Sequence, residues 1–244
     1  MKIAVINLAR SEDRRELVQS NLGRLGLKFE FFTGIDASLG QHIGISRYQP
    51  SAAWRDHHQP LTLGEIGCFA SHYLLWRQCV EARQPLVIME DDVLVDDGFV
   101  RALKAVPGLL STYPLLRLGL ISEGPNSVPI LAAPDGFEVV SLAPEAYGTQ
   151  CYVLSDVGAK VLLEHADVWS VPVDLYLDYS QRCGIGSYGL RPYYVRHADQ
   201  HAYPSIIGGE RHGQWSQDKQ AEAKIRAALE KFLAARGEGR TLAD

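Results

Sequence analysis

The stretch Pro85-Leu86-Val87-Ile88-Met89-Glu90-Asp91-Asp92 runs four large apolar residues directly into three acids. A short continuous apolar run of this kind is the pattern of a central strand buried on both faces, which belongs to the parallel sheets of α/β proteins. Open α/β sheets bind ligands in the crevice beyond the carboxyl ends of their strands. Three carboxylates at such an end repel one another and raise their own pKa values unless a cation or strong donors compensate. A divalent metal, Mg²⁺ or Mn²⁺, is the economical compensation, because a hard cation prefers carboxylate oxygen and keeps positions open for phosphate. If the strand stays extended, Glu90 and Asp92 share a face and form the metal pair. Asp91 then points the other way, toward backbone or ribose. The bland alternative is a solvated acidic turn that continues into Asp96 and Asp97.

Upstream, Lys2 to Asn7 reads as a buried strand, and Ser11 as the cap of a helix with Glu12 and Asp13 in its first turn. Leu17, Leu22 and Leu25 give that helix an apolar side, Gly26 stops it, and Phe29 to Thr33 is a second strand. The chain therefore opens β-α-β, with parallel strands. Residues 37 to 61 read as a long loop. Thr62 and Glu65 have capping-box spacing before a helix marked by Ile66, Phe69, Ala70, Tyr73 and Val80.

Downstream of Asp97 comes a further amphipathic helix, then apolar runs at Leu115 to Ile121, Phe137 to Leu142 and Cys151 to Leu154. Ser155 or Asp156 caps a helix through about His165, and Val173 to Cys183 reads as helical. Arg191 to His197 is a last strand. Trp215 to Arg236 is a charged amphipathic helix with Ile225, Ala228, Leu229 and Phe232 on one side. One α/β domain is expected, with its sheet nearer the N-terminal half.

Composition narrows the function. With 46% hydrophobic and 22% charged residues among 244, a sizeable core is available and global disorder is excluded. A formal charge of −5 argues against an overall grip on nucleic acid. No stretch of about 20 apolar residues is present to span a bilayer, and the first residues lack a signal-peptide plan. Cys68, Cys79, Cys151 and Cys183 contain no C-x-x-C pair, so they read as reduced thiols rather than a zinc site or disulfide frame. A cytoplasmic protein is expected, or one peripheral to the inner membrane.

Several segments, in order, resemble glycosyltransferase family 25, the lipooligosaccharide galactosyl- and glucosyltransferases related to collagen galactosyltransferase domains. They are Val5-Ile6-Asn7-Leu8 with Arg14, Glu65-Ile66-Gly67-Cys68 with Ser71-His72, and Val87 to Val93. Gly148 to Leu154 with Gly158-Ala159, Pro172-Val173-Asp174 and the tail around Pro192 to Ser205 complete the set. The resemblance implies a GT-A-like, Rossmann-type single domain with a mostly parallel central sheet flanked by helices. Its nucleotide-binding part would cover about 1–110, its acceptor-side part about 111–210 and its C-terminal helix about 215–236. It also implies a UDP-sugar donor, a divalent metal (Mn²⁺ or Mg²⁺) and inverting transfer of a hexose, galactose or glucose, to a saccharide acceptor of lipopolysaccharide.

Site residues follow from position and resemblance together. Asn7, Arg10 and Arg14 sit at the first strand-to-helix junction, where guanidinium and backbone N–H groups suit a diphosphate. Asp36 follows the second strand and suits ribose hydroxyls or the uracil ring. Ser71 either orients its helix or contacts ligand. His72, seven residues from Glu65 on the same helical face, reads by itself as a packing histidine, and the family match draws it toward the site as a catalytic candidate beside Asp174. Inverting transfer needs a carboxylate base, and the resemblance assigns Asp174, with Asp178 as a weaker substitute and helix capping as the plain reading of Asp174. His197 stands where the family often has Gln, and His197 or His201 is a minority candidate for a third metal ligand. His57-His58 read as solvent-exposed. The competing functions are a metal-dependent phosphoester hydrolase and a non-catalytic sugar-nucleotide-binding module. A dinucleotide dehydrogenase is disfavoured, since no Gly-x-Gly-x-x-Gly follows the first strand.

Overall fold

The computed structural model describes residues 1–39, 45–143, 146–178 and 183–198. The chain opens with β1 (Lys2–Asn7), α1 (Glu12–Arg24) and β2 (Glu30–Thr33), followed by α2 (Pro50–His57) and α3 (Leu63–Ala82). The middle carries β3 (Leu86–Glu90), β4 (Val93–Val95), α4 (Phe99–Ala105), β5 (Leu115–Gly119), β6 (Val128–Ala132) and β7 (Glu138–Ser141). Then come β8 (Cys151–Leu154), α5 (Asp156–His165), α6 (Val173–Asp178), β9 (Tyr188–Arg191) and β10 (Val195–His197).

The strands form one sheet in the order β2-β1-β3-β8-β5-β9-β7-β6, and β10 joins β4 to β5. The opening β-α-β is parallel as expected, with β1 pairing in parallel to both β2 and β3. Beyond β3 the sheet is mixed, because β8 runs antiparallel between β3 and β5. The sheet is not confined near the N-terminal half: β7 to β10 extend it to His197.

Alternation along the strands shows why the apolar runs are continuous. Leu86 and Ile88 of β3, with Tyr152 and Leu154 of β8, enter the core shared with α3, α5 and Trp169. Val87 and Met89, with Cys151 and Val153, enter the opposite core beneath Val18, Leu22, Phe99 and Ala102 of α1 and α4. Both faces of β3 are thus covered by helices, as its sequence requires.

Helix α3 starts with the complete Thr62–Glu65 capping box, each side chain bonding the other's backbone N–H. Other boundaries differ from the sequence reading. Ser11 occupies the N-cap position of α1, yet its side chain makes no cap bond. Instead the Asn7 side-chain amide donates to Ser11 O. The stretch from 37 to 61 is not simply a loop, since it holds α2 and two short 3-10 turns. The strand foreseen over Arg191 to His197 divides into the end of β9 and β10. Helix α6 is described only to Asp178, and the tail beyond Ala198, His201 and the helix foreseen at 215–236 lie outside the described residues. Among the described residues no helix is long and apolar enough to cross a membrane.

Candidate active site at the carboxyl end of β3

Strands β1, β2 and β3 end side by side, with Asn7 opposite Thr33 and Ile6 opposite Glu90. This brings Asn7, Asp36 and the Glu90-Asp91-Asp92 triplet to one edge, the crevice position for an open α/β sheet. A cavity of about 380 Å³ lined by Met1, Pro85, Pro114 and Val157 lies instead where β1 and β3 begin, the wrong end for that rule.

The three acids have separate surroundings. Asp91 is buried, taking Arg14 Nη1–H on one oxygen at 2.9 Å and the Asn7 amide on the other at 2.8 Å. Burial pushes its carboxyl up, while Arg14 and Asn7 pull it back. Both Asp91 oxygens are therefore engaged by protein donors, and Arg14 also lies 3.6 Å from Asp92.

Glu90 accepts a hydrogen bond from the Thr149 hydroxyl and faces His72 Nε2 at 3.5 Å. Burial opposes its ionisation, but the His72 ring, the Thr149 hydroxyl and His197 outweigh burial and hold Glu90 below its ordinary value. Asp92 is the converse: burial, then the charge of Glu90, pushes its carboxyl up to about 6.

Asp92 Oδ1 is buried and has no hydrogen-bond partner among the described residues. His197 Nδ1 lies 3.8 Å from it. The backbone fixes this approach, because His197 pairs with Val93 and Ala198 N–H donates to Asp92 O at 2.8 Å. On its other side His197 Nε2 sits 2.8 Å from the Gln150 amide nitrogen.

His72 is fully buried on α3, with Nδ1 2.8 Å from the Tyr152 hydroxyl, which also receives Trp76 Nε1–H at 2.8 Å. Ser71 Oγ accepts Ile35 N–H and donates to Gly67 O, so it ties the exit of β2 to α3. Asp36 takes the Arg10 guanidinium on one oxygen and the Ser38 backbone and hydroxyl on the other. Asp174 stands in the first turn of α6, close enough to Arg117 and Asp178 to act on both electrostatically. Fully buried Arg117 donates to Asp178 at 2.7 Å and to Ala146 O at 2.8 Å. The structure thus joins Asn7, Arg14, His72, Glu90, Asp91, Asp92 and His197. It sets Asp174 in a neighbouring cluster, linked to the first through Arg117 and Tyr152.

Thr149, Gln150, Tyr152 and Arg117 were not singled out from sequence. Arg117 had a signal, a lone cation inside the apolar run Leu115 to Leu118. The others needed the sheet order, which lays β8 against β3.

Glu90, Asp92 and His197 are donors of the type a divalent cation takes, although the ligand atoms that converge within 4.8 Å among the described residues are those of Cys68, His72 and Glu90. Two carboxylates and an imidazole are hard to borderline ligands, the charge of Glu90 reaches Asp92, and Asp92 Oδ1 is orphaned.

A family model described as glycosyltransferase family 25 (LPS biosynthesis protein) matches residues 1–124. A glycosyltransferase 25 family member of Aedes aegypti is 33% identical over 187 residues, covering 72% of this chain and 30% of the relative. A rat relative named probable inactive glycosyltransferase 25 family member 3 is 30% identical, covering 72% of this chain and 32% of its own. The lipooligosaccharide biosynthesis protein lic2B of Haemophilus influenzae is 29% identical over 168 residues, covering 66% and 62%. The chain spans less than a third of the length of the insect and rat relatives.

Proposed function

The chain belongs to glycosyltransferase family 25, and on that premise we propose that it transfers a hexose, galactose or glucose, from a UDP-sugar to a saccharide acceptor with inversion. The name of the Haemophilus influenzae relative supports a lipooligosaccharide or related surface glycan as acceptor. The observation that carries the reading is the buried Asp92 Oδ1, which has no hydrogen-bond partner among the described residues and faces His197 at the carboxyl end of β3.

Glu90 and Asp92, with His197 beside them, would hold Mn²⁺ or Mg²⁺. Bound there, the ion supplies positive charge to the departing diphosphate. Asn7 and Arg14 order the floor of the donor site through Asp91. Asp36 and Ser71, at the exit of β2, border the position for the nucleoside. Asp174 is the base that takes the proton from the acceptor hydroxyl as the anomeric carbon is attacked. Arg117 steadies the cluster from which it acts.

A panel of UDP-hexoses with Mn²⁺ tests the reading. One donor should raise the thermal midpoint by mass action and be turned over only when a saccharide acceptor is added. Asp92→Asn should abolish both responses. Acceptor-independent phosphate release would point to a hydrolase and overturn transfer. The rat relative's name favours one second reading, a non-catalytic sugar-nucleotide-binding module, which predicts the thermal shift without turnover.

A further inference from the structure

Cys68 and His72 lie one turn apart on α3 and face the first acid of the triplet. The Cys68 thiol, His72 Nε2 and a Glu90 oxygen all fall within 4.8 Å of one another. Two features of the His72–Glu90 edge ask for an explanation. His72 Nε2 is buried in a residue with no exposed surface, and it makes no hydrogen bond among the described residues. It nevertheless points at Glu90 Oε1 from 3.5 Å.

That separation discriminates among the ways such a pair is satisfied. An N–H···O bond has its heavy atoms at about 2.9 Å, so the pair stands too far apart for a good one. A bridging water fails in the other direction. Two hydrogen bonds of about 2.8 Å meeting at one oxygen hold their ends roughly 4.5 Å apart. A tetrahedral ion fits: nitrogen and oxygen each about 2.0–2.1 Å from a zinc-sized cation subtend an edge of roughly 3.4 Å. The Cys68 thiol lies within 4.8 Å of both other ligand atoms.

We propose that Cys68, His72 and Glu90 form a second cation site, selective for a borderline ion such as Zn²⁺, that shares the Glu90 carboxylate with the Asp92–His197 position but takes its other two ligands from α3. Thiolate, imidazole and one carboxylate are a softer set than two carboxylates and an imidazole, and so select Zn²⁺ over Mg²⁺ or Mn²⁺. Binding releases the thiol proton to solvent and uses the Nε2 lone pair. The His72 proton then resides on Nδ1 and is donated to the Tyr152 hydroxyl oxygen. That oxygen also receives Trp76 Nε1–H. This is the outer hydrogen bonding that orients a metal-bound histidine. The ion ties α3 to the end of β3 and fixes Glu90. The site does not depend on the transfer reaction, and its test does not read turnover.

The full chain, stripped of metal with a chelator, is titrated with Co²⁺ and followed by absorption. One equivalent should give a near-ultraviolet thiolate-to-cobalt band together with intense tetrahedral visible bands, and Zn²⁺ but not Mn²⁺ should erase both. Cys68→Ser, checked for folding by circular dichroism, should lose the thiolate band, while Cys183→Ser and Asp92→Asn keep it. Tyr152→Phe should keep the band but weaken Co²⁺ affinity by roughly 10–100-fold. A weak octahedral spectrum without a thiolate band, or a band that survives in folded Cys68→Ser, overturns the proposal. Loss of Mn²⁺-dependent donor binding in Asp92→Asn with the cobalt band intact would separate the two sites.

Discussion

Asp92 carries its carboxyl into a buried position beside Glu90, and the folded state therefore holds the Asp92 proton up to about pH 6. The unfolded chain releases it near the ordinary aspartate value of 3.8. With the folded pKa raised, the contribution to stability is complete below about pH 4 and is lost as pH rises toward 6. Asp92→Asn cannot ionise and escapes that loss. Without metal, its stability relative to the parent should be near zero at pH 4 and favourable by up to about 3 kcal/mol at pH 7. Urea denaturation at the two pH values measures this, and a variant less stable than the parent at pH 7 would sink it. Added Mn²⁺ should reverse the order, because only the parent gains a ligand.

Arg117 gives the opposite case. Its guanidinium is buried against Asp178, whose carboxyl burial pushes up to about 6 while Arg117 pulls it back. Arg117→Met should cost about 3–5 kcal/mol at pH 8, where Asp178 is left as a buried charge. The loss should shrink at pH 5, where Asp178 takes a proton. Equal losses at both pH values would mean that packing rather than charge is at stake. The acidic triplet was legible in sequence because three charges interrupt an apolar run. Tyr152 and Thr149 were not, since a lone polar residue beside an apolar strand shows its purpose only once its neighbouring strand is known.

Helix α3 delivers His72 and Cys68, so its seating against the exit of β2 sets the depth of the site. Gly67 makes that seating possible: a Cβ there would collide with Ile35 O and crowd Ala37 N. Ser71 closes the same contact by accepting Ile35 N–H at 2.8 Å and donating to Gly67 O at 2.7 Å. Gly67→Ala should lift α3 from the β2 exit and cost about 1–3 kcal/mol, the usual penalty for overpacking. It should also weaken Mn²⁺-dependent donor stabilisation in the same protein. An unchanged denaturation midpoint would show that the backbone yields at no cost. The capping box, the helical spacing and the continuous run of β3 made these elements readable from local chemistry. The β4–β10 and β6–β7 pairs were beyond such reading. β4 and β10 hold three residues each, and their pairing joins segments about a hundred residues apart. β6 is exposed throughout, so burial leaves no alternation in its sequence.

At the scale of the whole molecule, the order of strands decides what can fold alone. The family match ends at residue 124, and the expected nucleotide-binding part at about 110. Neither is a structural boundary. Strand β8, residues 151–154, lies between β3 and β5 and pairs antiparallel with both. Its four side chains are all buried, two in each core. Removing everything after residue 124 would part β3 from β5, expose both edges, and leave Ile88, Met89, Leu115 and Leu116 without the strand that covers them. Thr149 and Gln150, which meet Glu90 and His197, would go as well. The 244-residue chain should therefore unfold in one transition seen alike by far-ultraviolet circular dichroism and tryptophan fluorescence. A fragment ending at residue 124 should show no cooperative unfolding and no Mn²⁺ or UDP-sugar stabilisation. A soluble fragment with its own sharp transition would refute the single unit and restore a separable donor-binding domain.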